Sequence, residues 1–347
     1  MKNTRSTGYL LMIFLIIFAS NVERNAVEGI GPLAPAVAVG TAAITSFLLT
    51  SYDSIKCQFV ECCTNSWIDA NITGLSRSLN TRLHGQHLVI GATLKAVKAH
   101  VNNPDPKKAL TLSFHGWTGG GKNYVSRMIA DHLYVKGMQS RYVHLFISTL
   151  HFPHKSELET YKDQLRGWIK GNVSICPQQL FIFDEVDKMH ESLIDTISSY
   201  LDYHKEINGV NYRKSIFLFL SNTAGNDISN AAFSHWQDGG KREDISFKKM
   251  EEIITLNSYN EKGGLWHSSL ISKNLINAFI PFLPLERIHV KMCIKDDLLS
   301  KGHRHPSEEL ISSIADEMHY FPKEVKLYST SGCKRVTEKV DYVMEEV

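Results

Sequence analysis

Gly116-Trp117-Thr118-Gly119-Gly120-Gly121-Lys122-Asn123 is the stretch that decides the fold. An apolar run, Leu110 to Phe114, precedes it and reads as a buried strand. Val125, Met128, Ile129 and Leu133 follow it and fall on one helical face. Strand, glycine loop and helix make the arrangement of a phosphate-binding loop. Glycines let backbone N–H groups turn toward phosphates without side-chain interference, and the helix N-terminus adds its positive dipole end. Lys122 is placed to reach the β and γ phosphates. Asn123 stands where such loops carry Ser or Thr. Its amide oxygen can face Mg²⁺ directly or through water, although it is bulkier than a hydroxyl. The reading is an α/β fold with a parallel sheet around a nucleotide site for ATP and Mg²⁺.

Leu180-Phe181-Ile182-Phe183-Asp184-Glu185 supplies the second element of such a site, an apolar strand ending in two carboxylates. Asp184 would hold the Mg²⁺ shell, and Glu185 would polarise a water for attack on the γ-phosphate. A buried strand with a solvated acidic end is the plainer reading of those residues alone. Its place well downstream of the glycine loop fits an α/β nucleotide-binding order. A third strand, Ser215 to Leu220, runs into Ser221 and Asn222. A polar side chain at that strand tip can orient the attacking water.

The 347 residues allow one large or two modest domains, and a formal net charge of +2 offers no electrostatic case for nucleic acid. Lys2 and Arg5 precede an uncharged run from Ser6 to Asn21, which reads as a secretory signal peptide with cleavage near Ala19 or Ser20. An uncut signal anchor is the alternative. A second uncharged run, Gly29 to Tyr52, is long enough to cross a bilayer, since about 20 apolar residues suffice. Pro32, Pro35 and three glycines interrupt it, so a segment embedded in one leaflet fits better than a spanning helix. Two sequons, at Asn71 and Asn172, point to glycosylation in a lumenal compartment. The six cysteines include no paired C-x-x-C motif, which argues against structural zinc, and their even number suggests disulfides.

Along the chain, residues 53–103 read as a helical lead-in before a turn at Asn102 to Pro106. Tyr142 to Ile147 reads as a strand, and Ser156 to Trp168 as a helix with Ser156 in the N-cap position. Glu191 to Tyr203 and Phe247 to Leu256 have helical periodicity, as does Pro306 to His319. Gln237 to Arg242 reads as a polar loop. Pro281 and Pro284 bracket a boundary between a large nucleotide domain and a small C-terminal one. The organisation expected is a signal peptide over 1–20, a membrane-associated segment over 21–56, a nucleotide domain over 57–285 and a small domain over 286–347.

The phosphate loop ending in Asn123 resembles that of the torsin family of AAA+ ATPases, most closely the lumenal endoplasmic reticulum type. Several stretches match the same family: Cys57 to Trp67, Gly85-Gln86-His87-Leu88, Ile182 to Met189, Arg242-Glu243-Asp244-Ile245 and Trp266 to Ile271. Pro281 to Glu286, Tyr320 to Glu324 and Gly332-Cys333-Lys334 complete the series, with Gly120 a departure where the family usually has Thr. The resemblance implies an AAA+ large domain with a small, mainly helical one. It assigns Asn222 to the sensor 1 position and Lys334 to sensor 2, where Lys334 would meet the γ-phosphate as a point charge. A Cys293–Cys333 disulfide beside Lys334 would tie redox state to nucleotide binding, or act as a plain staple. The resemblance also implies no arginine finger of the chain's own. Activators that are type II membrane proteins with lumenal AAA+-like domains would lend one, homo-oligomer formation stays open, and Arg242 is expected on the surface. The activity implied is weak ATP hydrolysis, raised by the activator and used to remodel proteins or membranes at the reticulum and nuclear envelope. The rivals are a nucleotide-gated binding module with little hydrolysis, and a secreted kinase or other P-loop transferase.

Overall fold

The computed structural model describes residues 56–345, so the stretch read as a signal peptide and the apolar run to Tyr52 lie outside the described residues. The chain divides into two compact units, 1–62 and 63–347. In the first, the described residues carry a Cys57–Cys62 disulfide.

The centre of the second unit is a five-stranded parallel sheet in the order β2-β3-β4-β1-β5. The strands are β1 (Leu110–Gly116), β2 (Val143–Ile147), β3 (Leu180–Asp184), β4 (Ile216–Ser221) and β5 (Ala278–Phe282). They read as nearly unbroken apolar runs because helices bury both faces. Alternate side chains divide between the faces. Phe181, Phe183, Phe217 and Phe219 enter one core. Leu180, Ile182, Leu218 and Leu220 enter the other. The phenylalanines stack across strands, Phe146 on Phe183 and Phe181 on Phe217, each with ring centroids 5.0 Å apart.

The Leu/Ile face is covered by α1 (Ile72–Arg82), α2 (His87–Val101) and α3 (Lys122–Leu133), through Leu75, Leu79, Val89, Val97, Val125 and Ile129. The Phe face is covered by α4 (Leu158–Ile175), α5 (Gly225–Gln237) and α6 (Phe247–Asn260). A Cys63–Cys176 disulfide joins the segment before α1 to the end of α4. A third core lies among α7 (Arg287–Ser300), α8 (Glu308–Asp316) and α9 (Val336–Glu345), where Val290, Ile294, Ile311, Ile314 and Val340 meet. The short antiparallel strands β6 (Tyr320–Phe321) and β7 (Tyr328–Ser329) accompany these helices, and a Cys293–Cys333 disulfide ties α7 to the turn before α9.

Four expectations need correction. Pro281, read with Pro284 as bracketing a domain boundary, lies within strand β5; as an edge strand paired only with β1 it tolerates the proline. The segment from Glu191 is two short helices, Glu191–Asp195 and Ser198–Leu201, and not one. Asp195 accepts hydrogen bonds from Ser269 N and Oγ, each at 2.8 Å, so tertiary contacts interrupt the local periodicity. Helix α4 begins after a turn at Lys155–Glu157, so Ser156 does not cap it, and it runs on to Ile175. The Arg242 side chain is enclosed and not at the surface.

Candidate functional site

The phosphate loop leaves β1 at Gly116 and enters α3 at Lys122, at the carboxyl edge of the sheet. Gly119 has φ 78°, and a Cβ there would stand 1.7 Å from Ser331 O. Gly332 faces it, with φ 52° and Gly119 O 2.2 Å from its own notional Cβ. Neither position has room for a side chain. Cys333 N donates to Gly119 O at 3.2 Å, and the Trp117 indole donates to Thr330 O at 2.9 Å. The turn carrying Gly332, Cys333 and Lys334 therefore lies directly on the loop. At Gly120 a Cβ would meet nothing closer than 3.4 Å, so the loop backbone here does not itself require glycine. Thr118, like Trp117, is exposed on the loop, while Gly121 precedes α3 with φ 106°.

Lys122 is buried. Its ammonium donates to Gly116 O at 2.6 Å, to Trp117 O at 3.2 Å and to Asn222 Oδ1 at 3.0 Å. All three acceptors are neutral. Burial pushes its pKa down to about 8, against the pull of Asp187 and Asp184, and the Lys334 charge adds to the lowering. A buried cation with neutral partners suits an incoming anion.

Asn123 Nδ2 donates to Asp184 Oδ2 at 2.7 Å. The two residues expected at the metal are thus adjacent, and an amide that turns over presents its oxygen to the same space. This oxygen-rich pair fits a hard divalent cation. Glu185 follows with φ 56°, a backbone state that a non-glycine residue adopts at a cost of roughly 1–3 kcal/mol. The conformation turns the Glu185 carboxylate toward the hydroxyl of Thr149, which donates to it. Asn222 sits at the tip of β4, its N–H donating to Asp187 Oδ1 at 3.0 Å. The structure therefore brings Gly116 to Asn123, Asp184, Glu185 and Asn222 to one edge. Lys334 is exposed just beyond the turn on Gly119, near enough for its charge to act on Lys122.

Asn71 and Asn172 lie apart from this edge. Asn71 Oδ1 caps α1 by accepting from Gly74 N at 2.8 Å. Asn172, within α4, donates from Nδ2 to Trp168 O at 2.8 Å.

Arg242 is the main revision. Its guanidinium donates to Gly85 O from Nε and Nη2, at 3.0 and 2.6 Å. It also donates to Pro284 O and Glu286 Oε1 from Nη1, at 2.9 and 3.2 Å. A charged residue in a polar loop reads as solvated, but its acceptors come from distant segments and enclose it. Sequence reasoning also left Gln86, Thr149 and Asp187 without roles. Gln86 is buried and bonds Gly120 O and both the N–H and C=O of Leu283, across sequence separations of 34 and 197. No local pattern signals a contact of that range; only its place in the family-like Gly85 to Leu88 stretch marked the position.

A family model described as Torsin matches residues 57–183, and one described as Torsin-1A, C-terminal domain, matches residues 285–343. A Torsin-like protein of Caenorhabditis elegans is 37% identical over 341 residues, covering 97% of this chain and 95% of that one. Among solved structures, the S. cerevisiae Hsp104-ADP complex superposes with a TM-score of 0.59 at 15% identity over 80% of this chain. S. cerevisiae Hsp104 with casein in an extended conformation gives 0.56 at 16% identity. The chain spans about half the length of these Hsp104 chains, 47% and 46% respectively, and the likeness is one of fold.

Proposed function

The chain belongs to the torsin family of AAA+ ATPases, and on that premise we propose that it binds MgATP at this edge and hydrolyses it slowly unless a partner completes the site. One observation carries the reading. Lys122, Asp184, Glu185 and Asn222, from two strand ends and a helix start, converge around the phosphate loop. Lys122 would exchange its neutral acceptors for phosphate oxygens, a stronger charge-assisted contact. Mg²⁺, when bound by Asp184 and Asn123, supplies charge neutralisation across the phosphate oxygens. Glu185 would take a proton from the attacking water, which Asn222 orients. Lys334 adds positive charge from the docked turn. The division into a nucleotide domain over 57–285 and a small domain over 286–347 follows the same reading.

Two features favour help from outside. Arg242, the arginine that follows the sensor strand, has its guanidinium committed to acceptors within its own chain. Glu185 is engaged by Thr149 and must be released to act. An arginine from a type II membrane activator with a lumenal AAA+-like domain would supply about 10³–10⁵ in rate. The work driven is remodelling of proteins or membranes in the lumen of the endoplasmic reticulum and nuclear envelope. The three disulfides and the sequons at Asn71 and Asn172 support such an oxidising compartment. Cys333, bonded through its N–H to Gly119 O, gives the Cys293–Cys333 pair a direct path to the loop.

The test is Glu185→Gln. It should bind ATP with parent affinity, and activated turnover should fall by about 10²–10⁴, the usual contribution of a general base. Turnover by Glu185→Gln at the parent rate would remove Glu185 from the reaction. Absence of ATP binding by the parent would remove the nucleotide site.

A further inference from the structure

His115 is fully buried one residue ahead of the phosphate loop, and nothing above uses it. Its Nδ1 lies 3.2 Å from Thr223 O and 3.4 Å from Ser258 Oγ, and its Nε2 lies 2.6 Å from Ser113 Oγ. A carbonyl only accepts, so Nδ1 carries the proton and Nε2 accepts from the Ser113 hydroxyl. The ring is neutral: burial pushes its pKa down to about 4. Its partners belong to β1, to α6 and to the turn after β4.

That turn is where the sensing residue sits. Asn222 accepts from Lys122 Nζ, and Asn222 O accepts from Gly225 N at 3.0 Å. Ala224 has φ 60°, so the turn holds a conformation that its own sequence does not favour. Gly225 presses on the loop entry, where a Cβ would stand 3.0 Å from Trp117 N and 3.2 Å from Gly116 C. The imidazole thus anchors from inside the protein a turn that rests on the phosphate loop. A hydrophobic side chain of similar volume would fill the space and remove the donor facing Thr223 O.

We propose that His115 is a positioning residue that holds the Asn222 turn against the phosphate loop, and so sets how strongly the site prefers a nucleoside triphosphate over a diphosphate. The inference rests on the nucleotide reading above. On that reading Asn222 and the Lys122 ammonium bonded to it would lie at the terminal phosphate, so a displaced turn would weaken ATP binding more than ADP binding.

Isothermal titration of the full chain with ATP and with ADP tests it. His115→Leu should shrink the ratio of ADP to ATP dissociation constants about tenfold, the worth of one net hydrogen bond, with ADP affinity unchanged. His115→Asn keeps a donor toward Thr223 O and should restore the ratio to within about threefold of the parent. Nitrogen NMR of the parent chain should show the Nδ1–H tautomer and a shift of its signal between the ADP and ATP states. An unchanged ratio in His115→Leu, equal loss of both nucleotides in the Leu and Asn variants, or an Nε2–H tautomer would each overturn the proposal. The NMR arm holds even if His115→Leu does not fold. A parent that binds neither nucleotide would sink the nucleotide reading and this inference with it; normal binding with a silent His115→Leu would sink the inference alone.

Discussion

Lys122 and Arg242 are both buried cations, yet they are partnered in opposite ways. Arg242 has a carboxylate and two backbone carbonyls around a planar fork, from segments before α2 and between β5 and α7. Lys122 has only neutral acceptors, and among the described residues it makes no ion pair. A buried charge is tolerated when paired and is costly when not. Arg242 therefore stabilises the fold and is spent within it. Lys122 is held ready at some expense to the fold, and an incoming phosphate completes it. Burial alone would not separate the two; the identity of the acceptors does.

The largest effect that tests this contrast is on stability. Arg242→Ala should destabilise the chain by about 2–4 kcal/mol, because it removes four part-buried hydrogen bonds to Glu286 and to the Gly85 and Pro284 carbonyls. Chemical denaturation would measure it, and a loss below about 1 kcal/mol would show that Arg242 is dispensable to the fold. This reverses the expectation for a surface arginine.

Lys122→Ala should do the converse. ATP affinity should drop by about 1.5–3 kcal/mol, while the melting temperature without nucleotide stays within about 2 °C of the parent. Titration and thermal shift with and without ATP give both numbers. Unfolding in place of weakened binding would make Lys122 a second Arg242.

The two cations should also separate by pH. Lys122 titrates near 8 in the free protein, and phosphate favours its charged form. ATP affinity should be flat from about pH 6 to 7.5 and fall above 8, by up to about tenfold per pH unit. The same group works against the nucleotide-free fold below about 8, and that penalty is relieved as pH rises toward the ordinary 10.5. Titration in buffers of different ionisation enthalpy should show proton uptake on binding near pH 8. Uptake absent at that pH would mean that Lys122 is already paired.

The smallest effect concerns the loop itself. Gly120→Ala should stabilise the chain by about 0.4–1 kcal/mol, since Gly120 lacks a positive φ and its notional Cβ meets no atom closer than 3.4 Å. ATP affinity should not change if Lys122 and backbone N–H groups carry the binding. A marked change in titrated affinity would shift that role to the side chain at this position.

The parts of the site that announced themselves in the sequence are those whose chemistry is local. Gly116 to Asn123 carries its turn and helix start in consecutive residues, and Leu180 to Glu185 places two carboxylates at the end of an apolar run. The strand tip at Asn222 was legible for the same reason. Strand β5 was hidden because Pro281 reads as a breaker until the strand is known to lie at an edge. Gln86, Thr149 and His115 act through hydrogen bonds to distant segments, and no periodicity marks such residues.

What the sequence determined by itself is therefore the α/β class, the phosphate loop and the carboxylates, because backbone freedom, apolar runs and charge at a strand end are properties of neighbouring residues. The tertiary structure alone decided which charges are committed and which are available. It enclosed Arg242 with acceptors from two distant segments and laid the Gly332 turn on Gly119. It also left Lys122 among neutral oxygens. The physical reason is that the energy of a buried charge depends on what surrounds it in space, and those surroundings come from residues far apart in the chain.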